Sequence, residues 1–88
     1  EKEFSKYNFE LANTDNLFKI FDMTEKESKS LIENKLSLPA YDQCLKASHI
    51  FNILDARGVI SVAQRAEYIG RIRDLAKDVG QIWLESQK

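Results

Sequence analysis

The sequence predicts an all-α domain, a small bundle of three main helices at about residues 14–36, 39–56 and 61–86, with an irregular aromatic arm over residues 1–12. Three observations carry this. Apolar residues recur at helical spacing through each span. Stop and start signals (Pro39, Gly58, Ser61) fall between the spans. The composition, 43% hydrophobic and 31% charged with three Gly and one Pro in 88 residues, is that of a globular helical chain and too apolar for a disordered one.

The first helix rests on Leu17, Ile20, Phe21, Leu31 and Ile32, which share one side of a helical wheel with Thr24 and Ser28 as small fillers. Thr14 is its expected N-cap, and Thr24 followed by Glu27 is a second capping pattern at which the helix could break. Pro39 disfavours helix at Leu38 and suits the first turn of a new one, so the second helix is expected from about Pro39 to Ala56. Gly58 fits its left-handed C-terminal cap. Ser61 with Gln64 is a capping box that opens the third helix. Within that helix Gly70 and Gly80 are unfavourable by up to about 1 kcal/mol each relative to Ala, which suggests close approach by a neighbour. In the arm, Tyr7, Phe9 and Leu11 alternate as in an extended segment, and nine residues do not decide strand against short helix.

One domain is the length prior for 88 residues, and a domain of this size buries only about 60–65% of its unfolded surface. A single cysteine, Cys44, excludes an internal disulfide and a multi-cysteine zinc site and leaves the reducing cytoplasm as the default compartment. No apolar run approaches the roughly 20 residues of a membrane span. The chain opens on "EKEF" without a methionine, and it is expected to be a processed or excised part of something longer.

Charges become informative once placed on the wheels. On the third helix Tyr68, Ile69, Ile72, Ala76, Val79 and Trp83 define the expected buried arc, and Arg65 falls inside it. On the second, Cys44, Ala47, Ser48 and Phe51 define the arc, and Asp55 falls inside that one. Asp55 and Arg65 are therefore expected to form a partly buried ion pair across the corner, with Arg57 as a competing partner for Asp55, and Arg65→Ala is expected to cost roughly 2–4 kcal/mol.

The same helix, Gly turn and helix also outline a helix-turn-helix nucleic-acid reader, and all four arginines lie between Arg57 and Arg73. Against that reading, Arg71 and Arg73 sit on nearly opposite sides of their helix, and Glu67, Asp74, Asp78 and Glu85 between them would repel phosphate. Arg71 and Arg73 are instead the candidate surface contacts to a partner. His49, beside Asp42 and Lys46, reads as a solvated histidine rather than a general base. Cys44 reads as a small core residue rather than a nucleophile. One His and one Cys on different arcs supply no metal site, and no phosphate loop, nucleophile elbow or paired-carboxylate site is present, so no catalytic, cofactor-binding or metal residue is assigned. Phe18, Phe21, Phe51, Tyr68 and Trp83 read as packing. Ile53 and Phe18 lie off the main arcs and point to a docking face.

Taken together, "CLKASHIFNILDARGVISVAQRAEYIGRIRDLAKDVGQIWLE" resembles the C-terminal end of the alpha subunit of bacterial tetrameric glycyl-tRNA synthetase, and "YNFELANTDNLFKIFDMTEKESKSLIENKLSLPAYD" resembles the stretch before it. "FNILDARGVIS" followed by "RAEYIGRIR" is the most specific part. The resemblance implies a class II α2β2 ligase of the cytoplasm that uses ATP and Mg²⁺ to join glycine to tRNA(Gly). It also implies a second alpha subunit and a beta subunit as partners. The motifs of the catalytic sheet match no residue here. The expectation is a C-terminal accessory domain, inactive alone, that braces the catalytic core and helps to dock the beta subunit or tRNA.

Overall fold

The computed structural model describes all residues from Glu1 to Lys88 and contains helices only. A short helix α1 (Lys2–Lys6) runs into a π-helical turn (Tyr7–Leu11), followed by α2 (Thr14–Glu33), α3 (Ser37–Ala56) and α4 (Val62–Ser86). The three long helices are those expected from periodicity, with three of their six ends as expected and the others shifted by one to three residues. The Cα radius of gyration is 14.2 Å, against roughly 12 Å for a compact chain of this length. The core is correspondingly thin, and only 14 of 88 residues are buried.

The starts and stops follow from local chemistry. Asn13, one residue before the expected Thr14, is the N-cap of α2, its side-chain oxygen accepting the Asn16 N–H at 3.0 Å. No break occurs at Thr24, whose hydroxyl instead donates to the Phe21 carbonyl within a continuous helix. α3 starts at Ser37, two residues before Pro39. Pro39 is thus its third residue, where a missing N–H leaves no intrahelical bond unmade. The Ser61–Gln64 capping box is formed in both directions, at 3.1 and 2.9 Å.

Both inter-helix turns are Schellman motifs. After α3, Gly58 has φ +72°, and its N–H and that of Val59 bond back to the carbonyls of Asp55 and Leu54. After α2 the same geometry is built on Lys35 with φ +62°, and the Lys35 and Leu36 N–H groups bond to Ile32 and Leu31. A lysine at a left-handed position carries strain that glycine does not, which is why the sequence signalled only the second of the two turns.

α2 and α3 approach closely through small residues. Ser28, Ala40 and Ala47 are fully buried, and the Ser28 hydroxyl donates to the Ala40 carbonyl at 2.9 Å. One apolar cluster joins Phe21, Ala47 and Phe51 to Tyr68, Ile69 and Ile72 of α4. A second joins Ala12, Leu17, Ile53 and Leu54, with Phe18 packed against it. Of the two residues expected as leftover docking surface, Ile53 is therefore in the core and Phe18 is partly buried against it, because the chain at Ala12 folds over that end of α3.

The N-terminal arm is helical rather than irregular. A strand there would have no partner to satisfy its backbone groups. As a π turn it bonds the Ala12 N–H to the Tyr7 carbonyl at 2.7 Å, and Arg57 donates to the carbonyls of Asn8 (3.3 Å) and Ala12 (2.8 Å). The alternating aromatics had suggested an extended chain, yet Phe4, Tyr7, Phe9 and Leu11 are all exposed.

The buried face of α4 is turned from the expected one. Leu75, Val79 and Ile82 are buried, while Ala76 and Trp83 are exposed. The difference is less than one residue step of about 100°. Its cause is that α4 lies against α2 as well as α3, which draws the buried arc toward α2. Gly70 and Gly80 do not serve a close internal approach, since a Cβ at either would meet nothing within 4 Å.

Two opposite glycine effects are expected from these positions. Gly58→Ala should lose about 1 kcal/mol because of the positive φ, whereas Lys35→Gly should gain about 0.5–1 kcal/mol. Urea unfolding midpoints of the two variants check both signs; equal shifts would contradict the two-turn account.

Candidate interaction surface

The rotation of α4 decides where each arginine goes. Arg71, expected at the surface as a partner contact, is turned inward against α2. Its Nε donates to Glu25 Oε2 at 2.8 Å, and its Nη2 donates to Glu25 Oε1 at 2.6 Å and Asp22 Oδ1 at 2.9 Å. The guanidinium carbon also lies 4.8 Å from the Phe21 ring centre and 4.9 Å from that of Tyr68. Fork geometry, a planar cation and two aromatic faces are a combination that arginine fits and lysine does not.

Glu25 is buried, and no apolar pattern announced it. The hydrogen bonds from Arg71 hold its carboxyl below the usual carboxylate range, outweighing the upward push of burial. Those same bonds raise Arg71 further above the ordinary arginine value. Burial pushes the Tyr68 phenol up. The signal that could have found the pair is helical spacing on α2. Glu25 follows Phe21 by four residues and precedes Ser28 by three, so it lies on the core stripe and demands a cation.

The corner between α3 and α4 is different. Arg65 does face Asp55, with Nε 3.2 Å from Oδ2, but the side chains are 56% and 36% exposed. The pair exists and is not buried, because the turn of α4 that carries Arg71 in carries Arg65 out. Arg57 leaves Asp55 altogether and caps the N-terminal segment instead. An exposed pair contributes about 0–1 kcal/mol, so the expected loss of 2–4 kcal/mol moves from Arg65 to Arg71.

Arg73 is exposed and makes no ion pair. His49 is exposed beside Asp42 and Lys46, which pair with each other at 3.4 Å. Cys44 is buried, its thiol 3.9 Å from the Ile72 carbonyl and its pKa raised by burial, so it is a poor nucleophile. No three His, Cys, Asp or Glu side chains converge as a metal site. These residues therefore give Mg²⁺ no cluster of ligands. No helix is long and apolar enough to cross a membrane.

What remains at the surface is a set of apolar side chains on an otherwise self-satisfied bundle, in which no buried side-chain nitrogen or oxygen lacks a hydrogen-bond partner.

The family model for the glycyl-tRNA synthetase alpha subunit matches residues 1–88, the whole of this sequence. The chain belongs to that family. The protein it represents is accordingly a ligase of protein biosynthesis that takes part in joining glycine to tRNA, as a subunit of a synthetase complex.

Removing Arg71 strands Glu25 without its hydrogen-bonded counter-charge, so Arg71→Ala should cost about 3 kcal/mol, while Arg65→Ala should cost under about 1 kcal/mol. Denaturant unfolding of the two variants checks the order, and a larger loss for Arg65 would reverse the assignment. The pH dependence has a definite sign. A carboxylate with a lowered folded pKa stabilises fully above its unfolded value of about 4.3 and loses that contribution as pH falls through the folded value. Glu25→Gln should therefore be less stable than the parent at neutral pH, with the gap closing at the acid end once Glu25 itself is protonated.

Proposed function

We propose that these residues form the C-terminal accessory domain of the alpha subunit of an α2β2 glycine–tRNA ligase of class II. The domain braces the catalytic core and docks the beta subunit, and it has no aminoacylating activity by itself. The observation that carries this reading is the family match across all 88 residues, combined with a bundle whose buried charges pair with one another. In the intact, cytoplasmic enzyme, ATP and Mg²⁺ would activate glycine on residues elsewhere in the subunit, and a second alpha subunit and tRNA(Gly) would complete the assembly.

Free-standing recognition of nucleic acid fits these residues poorly. Of the four arginines, Arg71 is held by Glu25 and Asp22, Arg65 faces Asp55, and Arg57 caps backbone carbonyls. Only Arg73 is left for phosphate, while Glu67, Asp74 and Asp78 on the same helix oppose it.

Deletion separates the roles. An alpha subunit lacking these residues should lose most of its assembly with the beta subunit in sedimentation velocity, and tRNA(Gly) charging should fall with it. The 88-residue chain alone should show neither glycine-dependent ATP–pyrophosphate exchange nor a gel shift with duplex DNA at low salt. Undiminished assembly after deletion would contradict the docking role, and tight DNA binding would favour a nucleic-acid reader.

A further inference from the structure

The rotation of α4 that brings Arg71 inward opens a groove on the opposite flank of the helix. Its walls are Leu38 and Tyr41 of α3 and Ala76, Val79, Gly80 and Trp83 of α4. Val79 forms the buried floor, whereas Leu38, Tyr41 and Trp83 stand 74%, 49% and 47% exposed. A Trp, a Tyr and a Leu held together in water on so small a domain form an apolar patch of the kind that marks a contact with another molecule.

Two further features describe what would lie there. Gly80 sits in the interior of α4, where glycine is less favourable than alanine, and nothing inside the domain lies within 4 Å of a Cβ at that position. Internal packing therefore gives no reason for the missing side chain, whereas a helix backbone crossing from outside would use the space. Arg73 and Lys77 stand one turn apart on α4, and by their spacing of three or four residues they border Ala76 and Gly80. Neither makes an ion pair, unlike Arg65 and Arg71 of the same helix. Asp74, one turn before Lys77, does not pair with it either. Two like charges at this spacing repel slightly, and an acidic flank on a visiting chain relieves that repulsion.

We propose that the groove between α3 and α4 seats an amphipathic helix of a second polypeptide, apolar on its docking face and acidic along the flank that meets Arg73 and Lys77. Two turns of such a helix match the segment of α4 from Ala76 to Trp83, with anchors at i, i+3 or i+4 and i+7. A polypeptide is favoured over RNA because the walls of the groove are apolar, built from Leu38, Tyr41, Ala76, Val79 and Trp83. The inference deepens the docking role proposed above and rests on it.

The test uses the full alpha subunit and its beta subunit. Gly80→Leu should leave the melting temperature of the alpha subunit unchanged or raised, since the added Cβ meets nothing within 4 Å and leucine favours helix over glycine, yet weaken binding to the beta subunit tenfold or more. The pair Arg73→Glu and Lys77→Glu should weaken binding to a similar degree, by an amount that shrinks as salt is raised. A photo-cross-linking residue at position 80 should attach to a beta-subunit peptide of amphipathic, acidic-flanked sequence. If deletion of the domain abolishes binding while Gly80→Leu leaves it unchanged, the groove assignment is overturned and the docking role stands. If deletion leaves binding unchanged, the docking role fails and this inference with it. Cross-links that land on tRNA or on a second alpha subunit would also overturn it.

Discussion

The contact between Arg71 and Glu25 is what the rest of the bundle is arranged around. A guanidinium and a carboxylate leave most of their water, and the loss is offset only because the fork meets both carboxylate oxygens and the cation lies against the faces of Phe21 and Tyr68. Such a pair tolerates little rotation. It therefore fixes the azimuth of α4 relative to α2, and that one angle sets which of its residues are buried. Leu75, Val79 and Ile82 go in; Arg65, Ala76 and Trp83 go out.

A thin core makes such directional contacts matter. With few fully buried residues, the domain draws specificity from polar fastenings at the ends of its helices: two Schellman turns, a reciprocal capping box, and the Ser28 hydroxyl on the Ala40 carbonyl. Arg57 belongs to the same set. By holding the carbonyls of Asn8 and Ala12 it fastens the N-terminal segment over Ile53 and Leu54, and so fixes the direction in which the chain enters the bundle.

Helix number and order were legible in the sequence because they depend on local chemistry. Gly58, the Ser61–Gln64 box and the restart near Pro39 all act over fewer than about five residues. The Lys35 turn was not legible, since no glycine marks it. The azimuth of α4 was not legible either. A wheel centred on Tyr68 and Trp83 describes a helix against one neighbour, and α4 has two. The second neighbour turns Arg65 outward and Arg71 inward, so the Asp55–Arg65 pair that the sequence predicts forms at the surface and not in the core. The helical form of the arm was hidden for a related reason, because its stabilising partner, Arg57, lies more than forty residues away. The family, by contrast, was legible from the run of residues around "FNILDARGVIS", and the match over residues 1–88 agrees.

Of the four arginines, Arg71 and Arg57 are committed to contacts within the bundle, while Arg65 and Arg73 face outward. A double-mutant cycle on Arg71→Ala and Glu25→Ala, read by equilibrium unfolding, measures that commitment directly. A coupling energy of about 2 kcal/mol or more is the expected result for a desolvated bidentate pair. A coupling below about 0.5 kcal/mol, the level of independent surface charges, would contradict it.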